Sequence, residues 1–192
     1  MDLLFATHNQ HKLAEIQELV AGAGIRLQSL TDIGCHDDIE ETGLTFEANA
    51  GIKSRYVFEH FGLNCFADDS GLVVDALNGA PGIYSARYSG SRDPKVNLNL
   101  VLERMQGQTN RTARFVSVLS LMLDGEEYLF RGEVVGSLAT ECSGVEGFGY
   151  DPIFIPFGYT CTFAEMDLEE KNRISHRSKA LEQLFQFLKE RA

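Results

Sequence analysis

The chain has 192 residues, 44% of them apolar, which is enough for one full core and too few for two independent domains, so residues 1–192 read as a single domain. Its 28 acidic and 17 basic residues leave a net charge of −11, a field that opposes the phosphate contacts on which nucleic-acid binding depends. DNA and RNA are therefore not expected partners, whereas a small polyanion stays admissible if local cations or a bound metal reverse the field inside one cleft.

The opening MDLLFATHNQHK has no basic leader region and an apolar run of only four residues, so no export signal or membrane span is expected and the chain reads as cytoplasmic. Leu3 to Ala6 read as a short buried strand, and Leu13, Ile16, Leu19 and Val20 then recur at helical spacing up to Gly22. Residues 25–30 read as a second strand, 31–44 as a polar loop, and Thr45 as the cap of a helix running to about Phe61. Cys65-Phe66-Ala67 and Leu72-Val73-Val74 read as two short strands flanking Asp68-Asp69-Ser70-Gly71. Asp93-Pro94 opens a helix through Met105, with Pro at the tolerated first position.

Arg111 to Leu123, then Asp124-Gly125, then Glu126 to Val135 form the strongest hairpin signal in the chain. The stretch SGVEGFGYDPIFIPFGY is too rich in Gly and Pro for a regular element and reads as a wrapping loop, and after Ser175 an apolar stripe of Ala180, Leu181, Leu184, Phe185 and Leu188 marks a last amphipathic helix. Helices mixed with strands, including one antiparallel hairpin among crossover units, predict an α/β fold with a mixed sheet covered by helices. Cysteines 35, 65, 142 and 161 show no metal-site or disulfide spacing and read as separate thiols.

No P-loop, dinucleotide fingerprint or nucleophile elbow is present, so the chemistry must sit in other loops. THNQHK joins a strand to a helix and offers hydroxyl, amide and backbone donors with Lys12 in the first turn; it reads as a phosphate holder or as an ordinary cap with a solvated lysine. EETGLTFEANAGIK places Glu40 and Glu41 before a helix bearing Lys53, either as an acidic edge or as part of a site. Asp68 and Asp69 are adjacent in an apolar context, and alternation along a strand aims them at opposite faces. Carboxylates in a cleft suit Mg²⁺, which takes one or two of them and completes its octahedron with water and substrate oxygens. Phe148 and Tyr150 are candidates for stacking on a base, with Gly147 and Gly149 admitting close backbone approach and Lys171, His176 and Arg177 supplying donors.

Taken in order, THNQHK, EETGLTFEANA, FADDSGLVVDALNGAPGIYSARYSG, GFGYDPIF and KNRISHR resemble the inosine triphosphate or XTP/dITP pyrophosphatase family over nearly the whole chain. The resemblance implies hydrolysis of ITP, dITP and XTP to the monophosphate and pyrophosphate, with Mg²⁺, by a homodimer. It implies an elongated mixed sheet surrounded by helices, in two lobes with the nucleotide between them. It places substrate contacts on Thr7, His8, Asn9, Gln10, His11, Lys12, Ser70, Phe148, Gly149, Tyr150, Asp151, Lys171, His176 and Arg177. Metal ligation falls on Glu41 and Asp69, and catalysis on Asp69 with Asp68 and Lys53. Two alternatives stay open: which of Asp68 and Asp69 is the base, and whether Glu40 replaces Glu41 as ligand. His8 and Ala48 depart from the family's usual residues; the second removes one possible carboxylate. The rival readings are a Maf-like pyrophosphatase, whose Ser- and Arg-rich opening loop THNQHK does not match, and a nucleotide-binding regulator without turnover.

Overall fold

In the computed structural model, which describes residues 2–21 and 24–191, the opening apolar run is strand β1 (Asp2–Phe5) and the periodic stretch after it is helix α1 (Gln10–Val20). Asn9 starts that helix: its side-chain oxygen accepts the backbone N–H groups of His11 and Lys12, two of the four donors a helix start leaves open. Gly22, where the sequence ends this helix, lies outside the described residues. Strand β2 (Arg26–Ser29) and helix α2 (Phe46–Phe61) follow. Thr45 caps α2 by accepting the Ala48 N–H, and Gly62 closes it in the left-handed conformation at φ 64°.

The aspartates are not in a turn. A single strand, β3 (Cys65–Val74), runs through Asp68-Asp69-Ser70-Gly71, where the sequence predicts two short strands. The composition is that of a turn, but polar partners for the aspartates on neighbouring elements let the ladder continue. Helix α3 (Pro94–Arg104) starts at Asp93, whose carboxylate accepts the Lys95 N–H at 2.8 Å. Strands β4 (Thr112–Leu123) and β5 (Glu126–Leu138) are joined by Asp124-Gly125, both at positive φ (51° and 90°), as a twisted two-residue hairpin requires.

Two elements escaped sequence reading. Strand β6 (Phe154–Pro156) lies within the stretch read as irregular, and helix α4 (Leu168–Ile174) precedes the last helix, α5 (His176–Glu190). Three and seven residues are too few for either period to declare itself. The sheet is mixed, as expected: its order is β2-β1-β3-β4-β5-β6, with β1 parallel to β2 and β3, and β6 antiparallel to β5.

The chain resolves into two compact units, one from the described residues of Met1–Asp69, Ser117–Gly132 and Ser178–Ala192, the other from Ser70–Val116 and Glu133–Arg177. The first unit has a core on each face of its strands. Leu3, Phe5, Phe66, Leu119 and Leu121 pack with Ile16 and Val20 of α1 and with Ala180, Leu181, Leu184 and Leu188 of α5. The alternate residues Leu4, Ala6, Cys65, Ala67 and Met122 pack with Val57 of α2. The second unit has one core, in which Leu72, Val74, Phe115 and Phe154 meet α3 residues Leu98 and Val101.

In the second unit Gly136 pairs with Pro156, and a Cβ there would strike the Ile155 carbonyl and come within 2.8 Å of the Phe154 ring. Gly136→Ala is expected to lower stability in urea titration by about 1–3 kcal/mol through this overpacking. Val135→Ala, at a half-exposed neighbour, should stay within about 0.5 kcal/mol of the parent.

Candidate active site

The two faces of the first unit's strands explain where the aspartates go. Asp68 follows Phe66, which faces α1 and α5, and Asp69 follows Ala67, which faces α2. Both are buried, at 2% and 5% exposure. The side chain of Asp68 is fully enclosed: Oδ1 accepts the Ser117 hydroxyl at 2.7 Å, and Oδ2 lies 2.7 Å from Lys12 Nζ in the first turn of α1. Lys12 is thus neither solvated nor an idle cap residue. Asn9 and Thr7 set its place, since Thr7 Oγ1 accepts the Asn9 N–H at 3.1 Å and Asn9 caps the helix. The cap reading of THNQHK is therefore realised together with a charge contact. Asn9 already takes two of the backbone donors that a phosphate would use. His8, Gln10 and His11 are exposed, and the His8 ring donates to the Asp37 carbonyl at 3.0 Å.

On the α2 side, Lys53 Nζ meets Glu41 Oε1 at 2.5 Å and the Asp68 carbonyl at 2.7 Å. Glu41 is half-buried in this cluster, whereas Glu40 is exposed. Burial pushes the Asp69 carboxyl up to about 6 from 3.8; Lys53 and Lys12 oppose the rise, and the nearby Glu41 and Asp68 charges reinforce it. Asp68, held by a hydroxyl and a lysine, is an anchor for Lys12.

Among the described residues no three His, Cys, Asp or Glu side chains gather as a ready-made metal cage. Two carboxylates in each other's field with no soft ligand nevertheless fit a hard dication that keeps water and substrate oxygens in its shell.

In the second unit the centre is Asp151, 2% exposed. One of its oxygens accepts the Phe148 N–H at 2.8 Å and meets Lys171 Nζ at 2.7 Å, in a pair whose side chains are both 4% exposed. Gly147, at φ 71°, passes directly over that carboxylate, where a Cβ would collide with it. The Phe148 ring is half-buried and flanked by cations, with Lys171 Nζ 5.2 Å and the Arg177 guanidinium 5.9 Å from its centroid. Arg177 also donates to Ser70 Oγ at 3.0 Å, and the His176 ring stacks on Phe115 at 4.9 Å. Tyr150 is a correction to the stacking expectation. It lies in the core and its hydroxyl donates to the Ser85 carbonyl at 2.7 Å, with burial pushing its ionisation well up. Phe148 is the aromatic of that pair with surface to offer.

Ser117 and Ser85 escaped sequence reading. Ser117 interrupts an apolar run, RFVSVLSLML, and is completely buried; a hydroxyl inside a strand expected to be covered is a signal that something polar faces it. Ser85 accepts the Leu72 N–H through its side chain and the Tyr150 hydroxyl through its carbonyl, linking β3 to the Phe148 loop. Nothing local distinguishes it from the other serines of that stretch. A cavity of about 460 Å³ lined by Asp2, Leu4, Gln28, Phe58, Gly62, Leu63, Asn64 and Asp124 includes none of these residues.

The sequence profile of the Ham1 family matches residues 3–187. A dITP/XTP pyrophosphatase of Christiangramia forsetii is 50% identical over 189 residues, covering 98% of this chain and 99% of its own. The solved structure of the Staphylococcus aureus Ham1 protein superposes with a TM-score of 0.90 at 38% identity, covering all of both chains. A HAM1 protein from Coxiella burnetii gives the same TM-score at 42% identity over 99% of each.

Asp69 binds its proton more tightly folded than unfolded, so its contribution to stability is complete below about pH 4 and is lost as the pH rises through about 6. In metal-free protein at pH 8, Asp69→Asn should therefore raise stability, by up to about 3 kcal/mol. The gain should vanish near pH 4. Chemical denaturation of both proteins across that range checks the sign, and an unstabilised variant at pH 8 would refute the burial argument.

Proposed function

The chain belongs to the Ham1 family, and on that premise we propose that it is a nucleoside triphosphate pyrophosphatase that hydrolyses dITP, ITP and XTP to the monophosphate and pyrophosphate. The observation that carries the reading is Asp69: a buried carboxyl raised to about 6 among Lys53, Lys12 and Glu41. A protein that only bound triphosphate would gain nothing from a group poised to accept a proton.

In this reading Asp69 takes the proton of the water that attacks the α-phosphorus in line with departing pyrophosphate. Lys53 and Lys12 neutralise the charge that gathers on the leaving group, and most of the rate comes from this positioning. Asp68 keeps Lys12 in place, one oxygen on that pair and the other accepting the Ser117 hydroxyl. Mg²⁺, held by Glu41 and Asp69, would supply charge neutralisation on the phosphate oxygens. Thr7 and Asn9 shape the turn that presents Lys12, with His8, Gln10 and His11 on its exposed side.

The second unit's set reads as the base-recognising part. Phe148 offers a ring face, Asp151 and Lys171 hold its loop, Tyr150 anchors that loop in the core, and Gly149, Ser70, His176 and Arg177 complete the pocket wall. Donors in that set that pair with a 6-keto oxygen would be left facing an amino group by adenine, which a buried site penalises. No helix among the described residues is long and apolar enough to cross a membrane; a cytoplasmic homodimer acting alone on free nucleotides completes the proposal.

Incubation with ITP, XTP, UTP and ATP, with and without EDTA, tests it. Pyrophosphate released from ITP and XTP, weak turnover of UTP and ATP, and loss with EDTA are expected; orthophosphate as product or comparable kcat/KM for ATP would overturn it. Asp69→Asn should lower kcat by at least about 100-fold while nucleotide still binds.

A further inference from the structure

Asn49 is completely buried on α2, and its carboxamide orientation is settled by one contact: Oδ1 accepts the Gly43 N–H at 2.8 Å. Nδ2 is then the donor end, and no acceptor meets it among the described residues. Asn is a poor residue for a helix interior, and a buried donor without an acceptor opposes folding. A carboxamide kept at such a position points to a role other than stability.

Asn49 and Lys53 are four residues apart and stand on one face of α2. They grip the preceding loop at two points: Lys53 holds the Glu41 carboxylate at 2.5 Å and Asn49 holds the backbone two residues further on. Gly43 makes the second grip possible, because a Cβ there would stand 2.6 Å from Asn49 Oδ1 and 2.7 Å from the Ala48 methyl. The segment's apolar side chain does not anchor it, as Leu44 is 83% exposed.

We infer that Asn49 is a positioning residue for the metal carboxylate: by locking Gly43 against α2 it fixes the backbone from which Glu41 reaches, so a divalent cation meets a ligand already in place. The inference rests on the reading of Glu41 as a metal ligand. It predicts a defect in metal affinity that excess metal repairs, unlike a general loss of structure.

Calorimetric titration of the nucleotide-free protein with Mn²⁺ and Mg²⁺ tests it on wild type, Asn49→Ala, Gly43→Ala and Glu41→Gln, with amide exchange at Gly43 followed in parallel. Asn49→Ala and Gly43→Ala should each weaken cation binding about 10–100-fold, the usual cost of losing a partner that orients a ligand. Gly43 exchange should quicken in Asn49→Ala and stay slow in Glu41→Gln, and saturating metal should return Asn49→Ala turnover to within a few-fold of wild type. If Glu41→Gln weakens binding and Asn49→Ala does not, or if saturating metal fails to restore Asn49→Ala, the positioning role is wrong. If Glu41→Gln binds metal as wild type does, the ligand assignment falls, and this inference with it.

Discussion

The alternation of side chains along β3 is the constraint from which the first unit's site follows. Two adjacent carboxylates on one face, away from water, would repel each other and leave a charge without compensation. A strand instead sends Asp68 toward α1 and Asp69 toward α2, and each helix carries one lysine, Lys12 in the first turn of α1 and Lys53 two turns into α2. Lys12 closes on Asp68, and Lys53 stands between Glu41 and the β3 backbone. The two caps matter for this reason. Asn9 fixes the first turn of α1 and Thr45 that of α2, so the lysines project from helices whose beginnings are set by local hydrogen bonds.

The environments of the two aspartates then diverge. Asp68 has a hydroxyl and an ammonium on its two oxygens. Asp69 is buried beside another carboxylate, and its proton affinity rises although two lysines oppose it. Adjacent residues of identical type thus meet different surroundings on the two faces of one strand. The second unit repeats the pattern with one buried carboxylate. Asp151 draws together a lysine twenty residues away and the Phe148 backbone, and two cations stand 5.2 and 5.9 Å from the Phe148 ring centroid.

Much of this was legible because it depends on short-range rules. The caps at Thr45 and Asp93, the Asp124-Gly125 hairpin and the stripe of the last helix stand where propensity and period put them. The XTP/dITP pyrophosphatase resemblance was legible from five ordered blocks, and residues 3–187 match the Ham1 family. The errors came where a local rule met a tertiary partner. Asp-Asp-Ser-Gly has the composition of a turn, yet it is a strand because Ser117 and Lys12 receive Asp68. Tyr150 has the look of a stacking ring, yet Ser85 and the core claim it. β6 and α4 were too short to show a period.

The residue types for the chemistry were readable along the chain: hard carboxylates, lysines on the helices after them, glycines at close approaches and aromatics near cations. Those are properties of a residue and its near neighbours, which local physics reaches. Folding in three dimensions set which carboxylate each lysine holds, that Glu41 and not Glu40 joins the cluster, and that burial raises the proton affinity of Asp69. Such outcomes depend on contacts between residues 12 to 56 positions apart, and on the withdrawal of water that accompanies burial, neither of which is written in a stretch of chain.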